Sequence, residues 1–72
     1  MTEPTNATRA EWAYRTVLLF AQYTGLELPR DYDVAISDLL ADLMHLCDEA
    51  GIDFDERLDD GRGAYQIEVS DD

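Results

Sequence analysis

Lysine is absent from this chain, and its five basic residues are all arginine, set against 17 Asp plus Glu for a formal net charge of -12. Neutralising phosphates needs a basic face, so direct binding to nucleic acid is excluded as an expectation. Cysteine occurs once, at Cys47, which rules out an internal disulfide or a cysteine-rich zinc site as a staple. Long apolar runs are missing too: no 18 consecutive apolar residues occur, and Met1 to Thr8 lacks a basic start followed by an apolar stretch. The expectation is a soluble, cytoplasmic protein without a membrane partner. Internal repeats and low-complexity tracts are also absent. At 72 residues the chain is one small domain, too short for separate cofactor and substrate domains and close to the size at which one core barely offsets chain entropy. Without disulfide or metal, pairing with a second copy or with a larger partner is the remaining source of stability.

What is present is 46% hydrophobic residues, too many for a disordered acidic tail, so a folded body is expected. The charge is uneven. Residues 1–30 carry three acids and three arginines, whereas residues 31–72 carry fourteen acids and only Arg57 and Arg62. The two parts therefore meet different surroundings.

Periodicity predicts an all-α, compact three-helix domain over 1–72, with a flexible lead-in at 1–7 and a frayed acidic tail at 66–72. The first helix spans about 9 to 24, opened by a Thr8 and Glu11 capping box and closed by Gly25. Ala13, Val17, Phe20, Ala21 and Thr24 form one stripe, and Trp12, Leu19 and Tyr23 lie on another side. Tyr14 and Phe20 are assigned to the core, and Trp12, Leu19 and Tyr23 are kept as candidates for self-association as a homodimer. The second helix spans about 34 to 50, capped by Asp33, with Ile36, Leu40, Leu43, Cys47 and Ala50 as its apolar stripe and Gly51-Ile52 as a Schellman ending. It is expected to pack antiparallel on the first helix, with the third closing the apolar side. The third helix opens with Asp53 and Glu56 and runs to about Tyr65, although Gly61 and Gly63 cost about 1 kcal/mol each inside a helix. The alternation of Tyr65, Ile67 and Val69 leaves a short C-terminal strand as the alternative. The Gly61-Arg62-Gly63 motif lacks the strand and helix of a phosphate loop and reads as a turn.

Asp38, Asp42, His45 and Glu49 follow one another at spacings of four, three and four, which sets them on one helix face. Asp53, Asp55, Glu56, Asp59 and Asp60 continue the acidic series, and Asp38, Asp42, Glu49, Asp53, Asp55, Glu56 and Asp59 are taken as its partner-binding members. Such a row can imitate duplex phosphates and occupy the basic groove of a nucleic-acid-binding protein. Two blander readings stand beside it: a face kept charged for solubility, and an Asp-rich, Lys-free composition of the kind found in proteins adapted to high salt, which melting in low salt would distinguish. Asp42, His45 and Glu49 also have metal-ligand chemistry, but a di-metal site in a bundle needs matching ligands on a facing helix. The first helix offers only Glu11 and Gln22 and the third offers acids without histidine, so neither a metal nor a cofactor is expected. Cys47 lies on the apolar stripe two residues from His45, so the two point apart and no catalytic pair forms. The chain is read as non-enzymatic.

The segment Ile36-Ser37-Asp38-Leu39-Leu40-Ala41-Asp42-Leu43-Met44-His45-Leu46-Cys47, with Gly51-Ile52-Asp53-Phe54-Asp55 after it, resembles small acidic proteins of phages and mobile elements. That setting includes anti-CRISPR and anti-restriction inhibitors, several of them DNA mimics. The resemblance covers under half of the chain and implies an inhibitor of this type whose partner is a basic nucleic-acid-binding protein. The same segment is similar to the metal-binding helix of MazG-like nucleotide pyrophosphohydrolases, which carries Glu-x-x-Asp before an apolar run. Asp42 matches the Asp, but Leu39 stands at the Glu position and the paired Glu-rich helix upstream is missing.

Overall fold

The computed structural model describes residues 3–71 and contains three helices in chain order, α1 (Asn6–Thr24), α2 (Tyr32–Ala50) and α3 (Phe54–Asp71), with no strand among the described residues. The all-α, three-helix reading of the sequence is what the fold shows. Residues 62–69 are helical, and α3 continues past the expected end near Tyr65 as far as Asp71.

The helix ends follow local chemistry. α1 starts earlier than the Thr8 and Glu11 pattern predicts, because Thr5 caps it: its Oγ1 accepts the Thr8 N–H at 3.1 Å. Glu11 is drawn away to Arg15, at 3.2 Å one turn on. α2 likewise starts at Tyr32 rather than after Asp33, which sits inside the first turn, where a carboxylate suits the helix dipole. Asp31 occupies the cap position, yet its carboxylate turns back to accept the Glu27 N–H at 2.8 Å and the Arg30 guanidinium at 2.9 and 3.1 Å. The expected opening of α3 is present, with Asp53 Oδ1 accepting the Glu56 N–H at 3.1 Å.

Both glycine stops form as the sequence predicts. Gly25 and Gly51 have φ of 78° and 71°, a left-handed conformation that costs residues with a Cβ about 1–2 kcal/mol. The N–H groups of Leu26 and Ile52 then reach back to the Ala21 and Cys47 carbonyls at 3.0 and 2.9 Å, closing Schellman endings. Gly61-Arg62-Gly63 is not a turn but lies within α3. Its cost is met by anchoring on both sides: Phe54 and Leu58 line a groove shared with α2, and Glu68 is tied to α1.

The buried core is small and one-sided. Among the described residues only Val17, Ala21 and Ala35 are buried, and no large side chain is fully buried. Val17 and Ala21 come from the expected stripe of α1, where α1 meets α2. On α2 the buried residue is Ala35, which lies on the flank of the apolar stripe rather than on it. Ile36, Leu40 and Leu43, predicted to be core, stay between 37% and 47% exposed. Tyr14 also departs from its core assignment, because at 38% exposure it forms a tilted pair with Tyr32, ring centroids 6.3 Å apart. α3 does not close the apolar side of α2, but stands against one edge of it and leaves a groove. Its far end returns to α1, where Asn6 Nδ2 donates to the Glu68 carbonyl at 3.1 Å and Arg9 pairs with the Glu68 carboxylate at 3.3 Å. The outline is flat, 35 × 31 × 22 Å.

Candidate functional site

The seven acids singled out from the sequence occupy two helices and the turn between them. Asp38, Asp42 and Glu49 lie on one face of α2, Asp53 caps α3, and Asp55, Glu56 and Asp59 occupy its first two turns. All seven are exposed. At 1.5 Å of rise per residue the α2 row extends about 16 Å, close to five base-pair steps of a duplex at about 3.4 Å each.

The distribution of counter-charge separates this series from the other carboxylates. Arg9 pairs with Glu68, Arg15 with Glu11, Arg30 with Glu27 and Asp31, and Arg57 with Asp60, at 2.9 to 3.4 Å. None of these partners belongs to the seven, although Asp60, next to Asp59 in the acidic series, is one of them. The only contact within the series is the cap, in which the Asp53 carboxylate accepts the Glu56 backbone N–H. The acids of α2 also point away from the groove. Leu40 and Leu43 line that groove, while Asp38, Asp42 and Glu49 sit on the opposite side of the helix at 3.6 residues per turn.

The hydrogen bonds from Arg30, and then from the Glu27 N–H, hold the Asp31 carboxyl below the usual carboxylate range, and Asp31 in turn raises Arg30. This cluster fastens the α1–α2 connection.

Asp42, His45 and Glu49 share a face of α2, but no three His, Cys, Asp or Glu side chains among the described residues come close enough to hold a metal ion. The acids are separate charges spaced along a rod rather than a convergent ligand set. Cys47 is half-buried beside Met44, Ile52 and Phe54 at the α2–α3 turn. Trp12, Leu19 and Tyr23 are 55%, 51% and 80% exposed on the outer side of α1. The feature that sequence reasoning missed is the apolar groove of Leu40, Leu43, Phe54, Leu58 and Tyr65. Leu40 and Leu43 read as part of a stripe that the third helix closes, and periodicity alone cannot tell a covered apolar face from an open one. No described helix is long and apolar enough to cross a membrane. Comparison of the chain with protein-family models, curated proteins and solved structures gives no match.

Proposed function

We propose that this chain is a non-enzymatic inhibitor that presents a DNA-like row of carboxylates to a basic nucleic-acid-binding protein, in the manner of anti-CRISPR or anti-restriction proteins. One observation carries the reading: Asp38, Asp42, Glu49, Asp53, Asp55, Glu56 and Asp59 are all exposed, and none shares in the ion pairs made by the arginines. An acidic surface serving the fold alone would draw on the available guanidinium groups. Here four of the five arginines are taken up by other acids. The row is left free for an external cation, and the rigid helix beneath it fixes the spacing at no further ordering cost.

The mechanism is competitive. The carboxylates of α2 occupy positions where a basic groove expects phosphates, and the screened attraction between the two surfaces speeds encounter. The test is displacement of a labelled duplex from a panel of restriction and CRISPR effector proteins, followed by fluorescence anisotropy across a salt series. Displacement should weaken steeply as salt rises, and Asp38→Arg with Asp42→Arg should weaken it by roughly tenfold or more while circular dichroism stays unchanged. Failure to displace duplex from any panel member at low salt, or a double reversal without effect, would overturn the reading.

A further inference from the structure

We infer that the open α2–α3 groove is the surface through which two copies of this chain pair, groove against groove about a two-fold axis. This rests on packing and area, independently of what the acidic row binds.

The first observation is surface area. The chain exposes 5935 Å², whereas a folded monomer of 8.2 kDa exposes about 4,500 Å². The surplus is roughly 1,400 Å² per chain, so two chains carry roughly 2,800 Å², inside the about 2,000–5,000 Å² that obligate homodimers bury. The radius of gyration agrees: it is 13.9 Å, against about 11 Å for a closed globule of this length.

The second observation is where the apolar surface lies. Leu40, Leu43, Phe54, Leu58 and Tyr65 form a concave strip with almost no polar atoms facing it. Trp12, Leu19 and Tyr23 form only a single row on a convex helix. Two helices flanking a groove offer the interlocking ridges that a second such pair can fill, giving a four-helix layer of two α2–α3 pairs.

The third is charge, which excludes a basic occupant. The groove carries no carboxylate and is bordered by Arg57 and Arg62, so a basic protein would be repelled from it. Arg57 is paired with Asp60, and Arg62 makes no ion pair among the described residues. In a groove-against-groove pair the two facing surfaces are the same apolar strip, so apolar burial and not charge attraction holds them. Pairing here keeps the α2 carboxylates of both copies on the outside. The dearth of buried large side chains adds that the occupant must be present whenever the fold is, a condition a second copy meets.

The experiment is sedimentation equilibrium of the full chain from micromolar to millimolar concentration, with thermal melts at each concentration. A dimer is expected, with a Tm that rises with concentration. Leu58→Arg should abolish the dimer, and Trp12→Glu should leave it intact. Should Leu58→Arg fail to fold, Tyr65→Ala decides. Tyr65 is 65% exposed in the single chain, so its truncation spares the isolated fold yet should weaken dimerisation roughly tenfold. A wild-type monomer at every concentration, folded or unfolded, overturns the inference. So do an assembly larger than two copies, an unchanged dimer in Tyr65→Ala, and a dimer that dissociates on Trp12→Glu but survives Leu58→Arg.

Discussion

Asp31 shows how one side chain can do work that its position in the chain does not announce. It sits where a helix cap belongs, but its carboxylate serves the Glu27 N–H and the Arg30 guanidinium instead, and these contacts hold its acidity below the usual range. A carboxyl whose folded value is lowered contributes stability that is fully present above its unfolded value, about 3.9, and is lost as pH falls through the folded one. Asp31→Asn should therefore lower Tm at neutral pH, and the gap from the wild type should shrink below about pH 4. Melts followed by circular dichroism across that range would check it. A gap that stays constant to strongly acidic pH would show that the carboxylate charge is not what fastens the connection. Asp33, one turn into α2, has no side-chain hydrogen bond and acts through the helix dipole alone.

At the scale of the element, the glycines divide into two kinds. Gly51 has a left-handed φ, so Gly51→Ala should destabilise the fold by about 1 kcal/mol. Gly63 lies in helical conformation with nothing within 4 Å of an added Cβ, so Gly63→Ala should stabilise α3 by about 0.5–1 kcal/mol. Denaturant titration of the two variants would measure opposite signs. Sequence alone separates them only in part. Gly51 follows a long apolar period and precedes Ile52, a combination that specifies a Schellman stop, and it forms. Gly61 and Gly63 flank Arg62 in a polar stretch where local preference favours a turn, and only the tie of Glu68 to α1, made by residues more than fifty positions away, explains the continuing helix. Helix starts drift for a related reason. Thr5 and Thr8, or Asp31 and Asp33, are equally good caps by type, and which one wins depends on where Glu11 and Asp31 find their arginines.

At the scale of the whole molecule, the strongest apolar stripe in the sequence does not supply the core. Ile36, Leu40 and Leu43 satisfy every periodic criterion for burial, yet the buried contact on α2 falls on Ala35 at its flank. A sequence shows that a face is apolar, and the packing of other elements decides what covers it. The acidic face was more legible, because repulsion between carboxylates drives them to solvent whatever the topology. With a net charge of -12 on 72 residues, apolar and anionic surfaces are segregated on opposite sides of α2, so one helix can serve two different contacts.

The clasp between Asn6, Arg9 and Glu68 gives α3 the mechanics of a bridge deck resting on two abutments. One abutment is the covalent turn at residues 51–53, the other is the clasp, and the unsupported mid-span holds Gly61 and Gly63. In Tyr65→Ala, whose pairing is weakened, backbone amides near the middle of α3 should therefore exchange with deuterium sooner than in the paired wild type, and Arg9→Ala should spread that fast exchange toward Val69. Equal exchange in the two proteins would mean that a second copy lends the span no support.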